Sequence, residues 1–366
     1  MLKVISIGSR PSSMRIGYEK IQNIQALRGV AVLSVVLFHL GIIEQKYGGT
    51  ITILPDGLEF GMFGVDLFFV ISGFVMVVVT RGKFQDTKQA LRFLYHRASR
   101  IYPTYWAYSI LVLGVFLLEP SLVNSSQGNK VNIISSFLLF PSEILPLVMV
   151  GWTLIHEMYF YLIVFIILLA IPERFISFAL LLWGAGVVFL YFSLQQLTPF
   201  TQLVSHPLTL EFIGGCFLGL LFFRKPNLTL ETRLLMIIAS LGLIASIYGY
   251  ICYRHITGYL DPKGWWRILI FGAPALLTVF CFINAERNGF IAHSWLIKIG
   301  DASYSIYLSH ILTLSAAGRV WRMLSSNAVY DNLIMVPVLF MLVIVVGTAS
   351  YHFIEKPLLI FCRRIA

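Results

Sequence analysis

FGMFGVDLFFVISGFVMVVVT, residues 60–80, holds one ionisable side chain, Asp66, in its whole length. Wound as a helix, this run is about 30 Å long, the thickness of a bilayer's hydrocarbon core. Runs of the same kind recur along the chain. They predict helices at roughly 23–43, 60–80, 102–118, 152–171, 175–193, 208–223, 234–253, 266–283, 302–317 and 332–353. Composition agrees: 58% of the 366 residues are hydrophobic and 12% charged, against roughly 25% charged in a soluble domain. The expected fold is an all-α, polytopic membrane bundle of about ten helices over residues 23–357, with short tails at 1–22 and 358–366.

Ten spans put both termini on one side. The segments that then share that side hold 19 of the Lys and Arg residues, and the opposite loops hold 7. By the positive-inside rule the termini are cytoplasmic. The formal charge of +10 is therefore a topology signal, and the scattered basic residues form no nucleic-acid face. The stretch 132–150 is apolar but interrupted by Pro141, Glu143 and Pro146, which marks an outer loop that dips into the membrane. Cys216, Cys252, Cys281 and Cys362 lack the CxxC spacing of a metal or redox site. No compact apolar core follows Lys3, Arg10, Arg15 and Lys20 before residue 24, so the first helix itself directs insertion.

Ionisable residues inside membrane helices are costly and mark candidate sites. Arg28 and His39 are separated by ten residues. Eleven helical steps bring them within roughly 20° of one face and about 16 Å apart along the axis. An arginine at the helix entrance suits phosphate or amide groups, and a histidine deeper on that face suits general-base work. Thr153, Glu157 and Tyr161 stand at i, i+4 and i+8, a polar stripe that is expected to bring Glu157 to the depth of His39 and to orient it. Asp66 is a second orienter or acceptor contact, or a structural partner for a donor on the first or third helix. Arg97 and Arg100 extend an anion site at the cytoplasmic mouth or serve as topology signals. Ser303, Tyr304, Tyr307 and His310 give a later helix a hydroxyl-rich face suited to acceptor contact or to packing. His156 points elsewhere on its helix, in a structural role.

Six segments carry a family resemblance: the Arg28-x10-His39 pair, GVDLFFVISGF at 64–74, RASRIYPTYW at 97–106, WTLIHEMYFY at 152–161, DASYSIYLSH at 301–310 and YHFIEKPL at 351–358. Together they resemble the acyltransferase family 3 membrane O-acyltransferases, over residues 23–358. The resemblance implies a ten-helix core in a bacterial inner membrane, with acyl-CoA, acetyl-CoA above all, as donor substrate and no permanently bound cofactor or metal. It implies a surface or secreted glycan as acceptor, exopolysaccharide or lipopolysaccharide, free or lipid-linked. It further implies that His39 is catalytic and that Arg28 engages the donor, and Glu157 matches a glutamate of the family; the reading of the residues themselves adds Glu157 as the orienter of His39, Arg97 and Arg100 as donor contacts beside Arg28, and Asp66, Tyr304 and His310 as acceptor contacts or orienters. Two other readings share the buried charges: a transporter or flippase of a lipid-linked glycan, which often shows paired repeats not found here, and an acyltransferase acting on a lipid or small molecule.

Overall fold

In a bilayer every backbone amide must be satisfied within its own segment, so each apolar run becomes a helix. The computed structural model describes residues 21–194, 196–225, 230–325 and 329–365, and among them there is no strand. The expected tail at 1–22 lies almost wholly outside the described residues. In chain order the helices are α1 Gln22–Tyr47, α2 Phe63–Thr80, α3 Thr87–Leu118, α4 Ile133–Leu138, α5 Gly151–Ala170, α6 Ile176–Ser193, α7 Pro199–Val204, α8 Leu208–Arg224, α9 Thr232–Thr257, α10 Trp265–Arg267, α11 Ala273–Arg287, α12 Ser294–Asp301, α13 Ser303–Leu324, α14 Val329–Ser350 and α15 Lys356–Ile365. A 3-10 turn, Asp56–Met62, precedes α2, and π-helical turns at Ile268–Gly272 and Tyr351–Glu355 lead into α11 and α15.

Nine helices among the described residues are long and apolar enough to cross a membrane. The remaining expected run is α13, which has 22 residues but carries serines, tyrosines, His310 and two arginines. These lower its hydropathy. Its first eight residues are all buried, so its polar groups face protein rather than lipid, as the cost of exposing them demands.

α1 is the hub, packing on α2, α11, α12, α13 and α14. Its Ala31, Val32, Val36 and Leu40 are fully buried. The outer helices turn apolar side chains outward, such as Leu117 and Leu118 of α3, Phe189 and Phe192 of α6, and Tyr248 of α9. Close approach of α2 and α8 depends on glycine: a Cβ on Gly73 would overlap the Phe212 carbonyl, and one on Gly215 the Val70 carbonyl. Small residues at such crossings let backbones meet.

The structure corrects one reading of the sequence. α3 starts at Thr87, not near 102, because Asp86 caps it by accepting from the Gln89 amide at 3.1 Å. Arg97 and Arg100 therefore stand on a helix rather than in a loop. The expected tail at 358–366 is mostly helical, as α15. The segment 132–150 folds back against α3: Tyr102, Tyr105 and Trp106, near the middle of α3, donate to the Leu138, Ser136 and Phe137 carbonyls at 2.9, 2.8 and 2.9 Å. Those bonds satisfy the exposed end of α4. Gly151, the first residue of α5, lies against the Tyr105 ring.

Gly215→Ala should force α2 from α8 and cost about 1–3 kcal/mol, the range for overpacking. Gly114, where an added Cβ meets nothing within 4 Å, should accept alanine without loss. Thermal unfolding of both variants in one detergent checks this.

Candidate active site

Five helices converge on a cavity of about 110 Å³. α1 contributes Arg28, α2 Ser72, α3 Arg97 and Arg100, α5 Thr153, Glu157 and Tyr161, and α13 Ser303, Tyr304 and Tyr307, with apolar side chains such as Phe68, Phe69 and Ile101 between them. The stripe expected on α5 faces this space as a unit. Tyr161 donates to Glu157 Oε1, and Ser72 Oγ donates to the same oxygen at 3.3 Å. Tyr304 donates to the Ile101 carbonyl at 2.8 Å, tying α13 to α3.

The cavity is cationic. Among the described residues the ion pairs are those of Arg254 and Arg267, and none involves Arg28, Arg97 or Arg100. The Arg97 guanidinium lies over the Phe93 and Tyr161 rings, at 5.9 and 6.0 Å, and its buried Nε has no hydrogen-bond partner. The field reaches the loop before α3, where burial together with Arg97 and Arg92 holds the Lys83 amine below the usual lysine range. Three guanidinium forks around one space suit a ligand rich in anionic oxygens.

His39 lies further along α1, where its partner is His310. Tyr307 O accepts from His310 Nδ1–H at 2.6 Å, which leaves His310 Nε2 as a lone pair. Val35 O accepts from His39 Nδ1–H at 2.9 Å, and the same hydrogen faces His310 Nε2 at 3.2 Å. His39 Nε2 therefore keeps its lone pair and is the basic atom of the pair. Tyr307 joins the dyad to the cavity: its hydroxyl is 3.0 Å from Thr153 Oγ1, and its ring centroid is 5.6 Å from that of His310.

The expected bond from Glu157 to His39 is not formed. It assumed that α5 starts at the membrane surface, whereas α5 starts beside the middle of α3, so Glu157 comes to the depth of Arg28. Of the predicted site residues, Arg28, Arg97, Arg100, Glu157 and Tyr304 meet in the cavity, and His39 and His310 meet beside it. Asp66 joins neither group. It is fully buried and accepts from Arg267 Nε and Nη2, both at 2.8 Å, and Arg267 Nη1 donates to Asp261 at 2.6 Å. The donor thus comes from α10, not from the first or third helix, and Arg267 itself is buried. His156 is buried against Phe69, Trp152 and His206. Glu355 was missed: the π turn after α14 presents it to Ser305 Oγ, which donates at 2.6 Å, within electrostatic reach of Arg100 and Arg28. Its only sequence signal was its place in YHFIEKPL.

Removing one member of a buried pair strands the other charge, so Arg267→Ala should cost about 3–5 kcal/mol. The double variant Asp66→Leu with Arg267→Met should recover most of that loss. Comparing the folded yield and unfolding of the single and double variants checks it.

A family model for an acyltransferase domain matches residues 21–352. The chain is 30% identical over 344 residues to the exopolysaccharide production protein ExoZ of Rhizobium meliloti (strain 1021), covering 88% of this chain and 94% of that one. It is 23% identical over 387 residues to a Staphylococcus aureus (strain COL) protein provisionally named O-acetyltransferase SACOL0978, covering 92% of this chain and 57% of that one. The chain thus spans little over half of the staphylococcal protein. It is 24% identical over 337 residues to acyltransferase MdmB of Streptomyces mycarofaciens, covering 82% of this chain and 81% of that one. No solved structure matches the chain.

Proposed function

The chain belongs to acyltransferase family 3 and is an integral membrane O-acyltransferase, and from that premise we propose that it carries an acyl group from acyl-CoA to a hydroxyl of an exported glycan. The observation that supports this most is the cavity itself: Arg28, Arg97 and Arg100 face one space inside an apolar bundle. Acyl-CoA joins a phosphate-rich end to a long neutral arm ending in a thioester. Its phosphates bind at the arginines, and its arm passes Tyr307 toward His39. There His39 Nε2 takes the acceptor hydroxyl's proton as the oxygen attacks the thioester carbonyl. The new C–O bond forms, the C–S bond breaks, and the imidazolium returns its proton to the departing thiolate sulfur. Meanwhile His310 Nε2 accepts from the charged ring at Nδ1. This is the task a carboxylate performs in a triad. Glu157, bonded to Tyr161 and Ser72, sets the polarity of the donor cavity.

The acceptor class draws on the relative named for exopolysaccharide production. We place both termini in the cytoplasm of a bacterial cell, from the 19-to-7 distribution of basic residues and from the bacterial sources of the relatives. The arginine cavity then opens toward cytoplasmic acyl-CoA.

Arg28→Ala should raise the acyl-CoA KM about 10-fold or more, the value of a lost charge-assisted bond, with little effect on kcat. His39→Ala should do the reverse, lowering kcat by about 10²–10⁴-fold. Steady-state kinetics with labelled acetyl-CoA separates the two. An Arg28 variant with normal donor KM and no turnover would place that residue in the chemistry instead.

His310→Leu should lower kcat by about 10-fold or more at unchanged donor KM, because the His39 ring loses its acceptor. His310→Gln, whose amide oxygen can take the place of Nε2, should restore most of it. Equal loss in both variants would make His310 a packing residue.

A further inference from the structure

The arginine cavity suits an anion, so a hydroxyl acceptor needs its own approach to His39. At the far end of α1 from Arg28 lies a second cavity of about 50 Å³, with Phe38, Gly41 and Gln45 of α1 on one side and Thr52, Asp56 and Glu59 of the following segment on the other. The edge-on ring of Phe38 stands 4.8 Å from the His39 ring, centroid to centroid, so one side chain both lines the cavity and touches the base.

The walls are anchored from three helices. Glu44, 1% exposed, accepts from the Ile53 and Leu54 amides at 2.8 and 3.0 Å, tying the segment back onto α1. Asn332 of α14 donates to the Ile51 carbonyl at 2.5 Å. Arg254 of α9 pairs with Glu59 and lies 3.9 Å from Asp56. Gly41 keeps the space open, since a Cβ there would meet nothing within 4 Å.

The volume equals roughly three or four water positions, enough for the hydroxyl-bearing edge of a sugar ring whose remainder stays outside. Carboxylates and an amide beside an aromatic ring supply acceptors for hydroxyl hydrogens and a surface for the C–H face. Three carboxylates, Glu44, Asp56 and Glu59, stand against one guanidinium, Arg254. Like charge placed across a site is a strong negative selector.

We propose that this cavity is the acceptor subsite and that it selects an uncharged sugar over an anionic one. The proposal rests on the acyltransferase reading above.

The test uses the full chain in nanodiscs, with labelled acetyl-CoA and two soluble acceptors, a neutral glucan oligosaccharide and an oligogalacturonide. Acetyl-CoA hydrolysis without glycan is measured alongside. The wild type should acetylate the neutral oligosaccharide at least about 10-fold better by kcat/KM, and Asp56→Asn should narrow that preference. Gly41→Leu, at a position where an added Cβ meets nothing within 4 Å, and Gln45→Trp, on the cavity wall, fill the cavity. Both should raise the acceptor KM about 10-fold or more, with donor KM and acceptor-independent hydrolysis unchanged. A monodisperse filling variant with wild-type acceptor KM, or a wild type that prefers the oligogalacturonide or treats the two alike, overturns the proposal. A wild type that neither hydrolyses nor transfers from acetyl-CoA instead refutes the acyltransferase reading beneath it.

Discussion

Three guanidinium groups held around one space inside an apolar bundle are the constraint on which the rest of the structure turns. Each such charge costs about 2.5–3.5 kcal/mol to insert at mid-membrane on translocon scales. The bundle offsets that cost with groups drawn from separate elements: Glu157 and Tyr161 on α5 and Glu355 after α14, within electrostatic reach of the arginines. No single helix could supply them. Gathering five helices around one cavity in turn draws on a buried face of α1, where Ala31, Val32, Val36 and Leu40 are fully enclosed.

The segment between α3 and α5 decides where along the bundle these groups meet. α4 stops beside the middle of α3 because Tyr102, Tyr105 and Trp106 take up its last carbonyls. α5 must then begin there too, with Gly151 against Tyr105. That start sets Glu157 among the arginines and leaves His39 to pair with His310. The result divides the labour: one carboxylate tunes a cavity suited to anions, and an imidazole, not a carboxylate, supports the proposed base. A neutral partner is the lighter choice inside a membrane, because a second buried charge would carry its own insertion cost.

Much of this is legible in the sequence where one helix carries the information. The common face of Arg28 and His39 and the Thr153, Glu157, Tyr161 stripe follow from the 3.6-residue period, and the structure shows both. Periodicity, however, reports a face and not a depth, so it could not say which of Arg28 and His39 would meet Glu157. Hydropathy reports where a helix is apolar and not where it begins, which hid the first half of α3 behind its basic residues. Arg267 sits at the very start of an apolar run, where a boundary charge and a buried partner for Asp66 read alike. The dyad of His39 and His310 joins residues 271 positions apart. Only the packing of α13 on α1 reveals it.

In this reading the arginine cavity holds the phosphate-rich donor. It is tested most directly by equilibrium binding of a non-hydrolysable acetyl-CoA thioether to the nanodisc-embedded protein at rising salt. The comparison is the variant in which Arg28, Arg97 and Arg100 are all glutamine. Wild-type binding should weaken as salt is raised and be lost in the triple variant. Binding that persists in the triple variant at unchanged affinity would contradict it.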